Sequence, residues 1–111
     1  RAVITPLTTN VNEYLSYLPK GYEMEQNYPN PFNPTTNIKF SIANKSNIQL
    51  VVFDILGNEI KTLVNQSMEA GNHSITWNGV SNSGKIVPSG IYFYRLQGEH
   101  FSEVKKMMLL K

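Results

Sequence analysis

The side chains able to do chemistry in this 111-residue chain are few and scattered: two histidines, His73 and His100, one aspartate, Asp54, and seven glutamates. Hydrolysis needs a nucleophile, a base and a group that orients it, or two facing carboxylates, and no such set occurs at a usable spacing. His73 falls in an alternating run that ends at Trp77 and His100 in a turn after Gly98, so each reads as a packing or surface histidine. Two histidines without a carboxylate motif make a poor zinc site. The lack of cysteine also removes thiolate ligands and disulfides. The glycines mark turns and do not show phosphate-loop spacing ahead of a helix. The chain is therefore expected to be no enzyme and to use no metal or cofactor.

Binding is the remaining kind of chemistry. Tyr92 and Tyr94 share a strand face with Leu96, and with Trp77 they offer an aromatic set of the kind sugars stack on. The same alternation is what a sheet core demands, so all three read first as core anchors, Trp77 between two sheets. A carbohydrate-binding module stays as a minor alternative. Lys105, Lys106 and Lys111 form a small basic end. A net charge of +2 from ten basic and eight acidic residues is too small and too diffuse for a nucleic-acid partner. No apolar run reaches the ~18 residues of a membrane span.

These groups have to be positioned by strands. The run Tyr28-Pro29-Asn30-Pro31-Phe32-Asn33-Pro34 suits neither a helix nor a central strand, because each proline fixes φ, removes a donor and pushes its predecessor to extended geometry. Tyr28 and Phe32, two large rings among the prolines, are expected to pack onto the fold that follows, which makes the run an ordered lead-in and not a linker. Beyond it, short alternating segments recur about every ten residues. Ile38–Ile42 is one. Ile48–Phe53, apolar on both faces, is expected to be central and covered on both sides, and it turns through Ile55-Leu56-Gly57-Asn58 into Ile60–Val64. His73–Trp77 follows, then a loop from Gly79 to Gly90 long enough to shield an edge, then Ile91–Leu96, a turn at Gly98–His100, and Phe101–Leu110. With Tyr22–Glu25 leading in, this makes about seven strands. The expectation is an all-β, immunoglobulin-like antiparallel sandwich over residues 21–111.

Residues 1–20 form an N-terminal arm or linker of different character. Val3, Ile4, Leu7 and Val11 are apolar in an extended stretch, and Asn12–Leu18 has the make-up of one or two helical turns with Asn12 as cap. Apolar burial alone does not offset the cost of ordering ten residues, so such an arm also needs backbone pairing along a sheet edge. That pairing is expected within the domain or with a neighbour. The second case, self-association through residues 1–11 by strand addition, would build an extracellular filament.

Five stretches together resemble the carboxy-terminal sorting domain of the type IX secretion system, the Por secretion tail. Gln26 to Phe40 is similar to that family's opening Q-N-Y-P-N-P-F-N-P-T-T-x-I-x-F, and the hairpin segment VVFDILGNEIKTLV to its V-Y-D-x-L-G-x-x-V-x-x-L-V. AGNHSITWNG and SGKIVPSGIYFYRL resemble its tryptophan and tyrosine segments, and EVKKMMLLK its ending. The Trp-Asn-Gly and Ser-Gly-Ile-Tyr pieces also resemble the immunoglobulin-like module of flagellar hook-capping proteins. Where many relatives carry aspartates after the tryptophan, this chain has Asn78, Val80, Ser81 and Asn82, which argues against a calcium site there. The sequons at Asn44, Asn65 and Asn72 are chance matches in such a domain.

The resemblance implies a non-catalytic domain that directs an upstream passenger through the periplasm to the outer cell surface or medium. Its implied partners are the secretion machinery, which would read the lysine end, and the passenger. Starting at Arg1, the chain is expected to be a processed or excised piece of something longer.

Overall fold

The structure, a computed structural model, describes residues 21–111. Val3, Ile4, Leu7, Val11 and the turns expected over Asn12–Leu18 lie outside the described residues. Seven strands make up the fold: β1 (Tyr22–Met24), β2 (Thr36–Ile42), β3 (Ser46–Asp54), β4 (Glu59–Met68), β5 (Gly71–Trp77), β6 (Gly90–Gln97) and β7 (Ser102–Leu109). They form a three-stranded sheet, β1-β2-β5, and a four-stranded sheet, β4-β3-β6-β7, with every neighbouring pair antiparallel. The expected all-β sandwich is thus borne out. The fourth strand stays beside the third; in an antibody constant domain it would cross to the first sheet. Among the described residues no helix is long and apolar enough to cross a membrane.

Period-two alternation sets the core. In β2, Thr36, Ile38, Phe40 and Ile42 are buried while Asn37 and Lys39 are exposed. Ile48, Leu50 and Val52 of β3, Tyr92, Tyr94 and Leu96 of β6, and Met107 and Leu109 of β7 meet them from the other sheet. The expectation that β3 is covered on both faces is corrected. Gln49 is exposed and Phe53 half-buried, so among the described residues no packed layer covers the outer face, although Val51 on that face is buried.

β4 reads poorly as an alternating strand because its pairing with β3 shifts register twice, between Leu50 and Val51 and between Val52 and Phe53. An extra residue at each shift moves the side chains out of phase. The hairpin turn is held by Asp54, whose Oδ1 accepts the N–H groups of Leu56 and Asn58, each at 2.9 Å. Those donors, Asn58 first, hold the Asp54 carboxyl below its ordinary pKa. Gly57, at φ 85°, supplies the left-handed residue the turn requires.

The loop between β5 and β6 shields an edge, as expected. Asn82 N donates to Ile60 O at 2.9 Å and Asn82 Oδ1 accepts Thr62 N–H at 3.0 Å, so one residue stands in for a neighbouring strand along β4.

Candidate functional site

The proline run and the end of β7 form one structure. From Gln26 to Pro34 the chain crosses the open side of the sandwich, leaving the first sheet and reaching the outer edge of the second. At the start, Tyr28 N donates to Asn37 O and Asn37 N to Tyr28 O, both at 2.9 Å, an antiparallel bridge beside β2. Four residues later Phe32 N donates to Met108 O and Leu110 N to Phe32 O, both at 3.0 Å, a parallel bridge beside β7. Side chains fill in where prolines lack donors. Gln26 Nε2 donates to Lys106 O at 2.7 Å, and Asn30 Oδ1 accepts Met108 N–H at 2.9 Å. The outward backbone groups of β7 are thereby satisfied from Lys106 O to Leu110 N. The Tyr28–Pro29, Asn30–Pro31 and Asn33–Pro34 peptide bonds are cis.

Beneath the run lies a buried polar knot. Asn27 and Thr36 are the two buried polar residues among those described, 2% and 1% exposed. Asn27 Nδ2 donates to Thr36 Oγ1 at 3.0 Å and to Pro29 O at 3.2 Å, and Thr36 Oγ1 donates to Pro29 O at 2.9 Å. Asn27 N donates to Tyr94 Oη at 2.8 Å, which itself donates to Glu25 O at 2.9 Å. Every member has a partner, which is the condition for a buried polar group to stabilise and not cost free energy. Burial pushes the Tyr94 phenol up to about 12, partly offset by the Asn27 N–H that its oxygen accepts.

Of the two rings in the run, Phe32 behaves as expected and Tyr28 does not. Phe32 is 1% exposed, its ring 5.7 Å from Trp77, which meets Tyr92 edge-on at 5.6 Å. Tyr28 is 80% exposed. Antiparallel partners share a face, and Tyr28 pairs with the exposed, outward Asn37, so its ring follows Asn37 into solvent. Phe32 pairs with the buried Leu109 instead.

Trp77, Tyr92 and Tyr94 are all within 4% of full burial, which removes the platform that sugar binding needs. Trp77 Nε1 donates to Val80 O at 2.9 Å and Tyr92 Oη to Pro88 O at 2.7 Å, so their polar atoms are tied to the β5–β6 loop. Gly79 in that loop has φ 75°, and a Cβ there would stand 3.2 Å from Pro34 O, so the loop and the proline run meet at a position only glycine suits. His73 lies on Phe40 with Nε2 2.7 Å from Glu69 O, and His100 is exposed in its turn.

The three lysines have three different environments. Lys105, facing inward along β7, pairs with Glu103 at 3.3 Å. Lys106 is exposed on the outer face opposite Phe93. Lys111 donates through N to Ser89 Oγ at 3.0 Å and through Nζ to Val87 O, which ties the last residue to the β5–β6 loop. Sequence reasoning singled out the prolines, rings and lysines. It named Asn30 only as a member of the proline run and gave no side-chain role to Gln26, Asn27, Thr36 or Ser89, although the repeated asparagines beside the prolines were a visible signal. Among the described residues there is no group of three or more histidines and carboxylates that would hold a metal ion. What the arrangement offers a partner is a fixed backbone surface, with the lead-in and the chain terminus locked together.

Residues 26–110 match the profile of the secretion system C-terminal sorting domain. No curated protein matches the chain. Three solved structures are similar in fold. The dimeric latent PorU of Porphyromonas gingivalis aligns with TM-score 0.63 and 17% identity, over 80% of this chain and 9% of that one. PorZ of the same organism, described as an essential surface component of the type IX secretion system, aligns with TM-score 0.55 and 18% identity, over 82% of this chain and 12% of PorZ. FLGD of P. aeruginosa aligns with TM-score 0.53 and 24% identity, over 67% of this chain and 58% of that one. This chain is therefore the length of a small part of PorU or PorZ.

Proposed function

We propose, from the premise that this chain belongs to the family of secretion system C-terminal sorting domains, that it is a non-catalytic module carrying an upstream passenger through the type IX secretion system to the cell surface or medium. The observation that carries this reading is the joining of the two family-typical ends. The proline run is hydrogen-bonded to Lys106, Met108 and Leu110 at the close of the chain. A receptor that reads such a surface meets main chain and side chains already in place, so little ordering cost accompanies recognition. The PorU and PorZ folds support the assignment at the level of architecture.

The lysines divide the work. Lys106, exposed, is the cation that the machinery contacts, whereas Lys111 holds the terminus against the β5–β6 loop and Lys105 is engaged with Glu103. Fusing residues 21–111 behind a periplasmic reporter, in a bacterium with a working type IX system, should bring the reporter outside the cell. Lys106→Glu should reduce export while leaving the fold's Tm unchanged. A reporter that stays in the periplasm with the wild-type domain overturns the assignment, and full export of the Lys106→Glu fusion overturns the role of that lysine.

A further inference from the structure

Edge strands are where a sheet can pair with another chain, and this fold has four of them, β1, β5, β4 and β7. Three are guarded. β1 has three residues, and β7 lies under the proline run from Lys106 to Leu110. β4 carries two register shifts, turns the half-buried Lys61 inward opposite the buried Val52, and is bonded by Asn82 of the β5–β6 loop. Among the described residues β5 has none of these devices. Gly71–Trp77 is seven residues long, runs against β2 without a register shift, and contains no lysine, carboxylate or proline.

The open groups follow from the pairing of β2. Asn37 exchanges backbone bonds with Tyr28, and Lys39 O accepts Glu25 N–H at 2.9 Å, so the odd-numbered residues of β2 face away from β5. Thr36, Ile38, Phe40 and Ile42 therefore bond to their register partners Trp77, Ile75, His73 and Gly71. That leaves the N–H and C=O groups of Asn72, Ser74 and Thr76 pointing out along the edge, and among the described residues no backbone group bonds to them.

This edge is complementary to itself. Turned about a two-fold axis through Ser74, two copies of β5 run antiparallel, with Ser74 opposite Ser74 and Asn72 opposite Thr76. These are hydrogen-bonded positions, so every outward N–H and C=O of the three residues finds a partner. The exposed side chains that meet are small and polar, and on the inner face half-buried Ile75 lies opposite half-buried His73. We propose that a second copy of this chain docks on β5, joining two three-stranded sheets into one of six strands. A single strand edge is a small interface, so the pair forms at micromolar to millimolar concentration.

The full chain tests this in solution. Analytical ultracentrifugation should show monomer and dimer in an equilibrium that shifts with concentration. Where about nine-tenths of the chain is dimeric, the amides of Asn72, Ser74 and Thr76 should exchange with water about tenfold more slowly than in dilute solution, because exchange then proceeds through the free monomer. Ile75 N–H, already turned to β2, is the internal control. Ser74 is exposed, so Ser74→Glu should keep the Tm of the monomer, yet weaken the dimer about fivefold by placing two carboxylates face to face. Mixed with Ser74→Lys, it should regain a dimer made of one copy of each. A chain that stays monomeric at millimolar concentration, as one whose edge is kept for another protein's strand would, overturns the inference. So does protection of the three amides that is the same at every concentration, or a Ser74→Glu dimer as tight as the wild type.

Discussion

Replacing Phe32 by alanine isolates the docking of the proline run from its backbone bonds. The variant keeps Phe32 N–H on Met108 O and Leu110 N–H on Phe32 O, and loses only a ring that is 1% exposed and lies against Trp77. Truncating a buried phenylalanine costs about 3–5 kcal/mol, most of it lost transfer free energy and the rest an unfilled cavity. For a domain of this size that corresponds to a fall in Tm of roughly 15–30 °C. Tyr28→Ala is the matched control, since an 80% exposed ring should change stability by no more than ~0.5 kcal/mol. Urea unfolding followed by the fluorescence of Trp77, the sole tryptophan, reports both variants with the same probe. Equal losses in the two variants, or a loss below ~1 kcal/mol for Phe32→Ala, would refute the argument that this ring anchors the run.

Three further outcomes follow from the polar knot and its neighbours. Asn27→Ala leaves Thr36 Oγ1 without a donor and opens a buried space, and should cost about 2 kcal/mol in the same titration. Gly79→Ala combines φ 75° with a 3.2 Å approach to Pro34 O, and should cost about 2 kcal/mol where alanine at an ordinary loop glycine would cost nothing. Tyr94 titrates near 12 in the fold against an ordinary 10.0, so the folded state holds the proton that the unfolded state releases first. Its contribution is complete below pH 10 and declines as pH rises from 10 towards 12. Tyr94→Phe should flatten that part of the stability profile measured by chemical denaturation.

How far the sequence foretold this depends on the kind of information each feature needed. Alternation in Ile38–Ile42 and Ile91–Leu96 marks strands and their inward faces, because period two is a local property. The turn at Gly57-Asn58 sets β4 beside β3 as a hairpin, whereas its two register shifts blur the alternation of its own side chains. Tyr28 and Phe32 look alike in sequence; their opposite fates follow from pairing with Asn37 and Leu109, one neighbour facing out and the other in. The roles of Gln26, Asn27, Asn30 and Thr36 were hidden for the same reason. Gln26 and Asn30 acquire partners only when residues about 80 positions later come alongside. That Lys105 and Lys106 face opposite sides was legible from adjacency alone, because successive residues of a strand alternate.

The claim that this domain is a sorting signal rests most directly on where it sends a protein. A reporter joined to residues 21–111 should be found outside the cell in a strain with a working type IX system, and in the periplasm of the same strain when that system is disabled. Export that persists without the system, or a reporter confined to the periplasm in both strains, would contradict it.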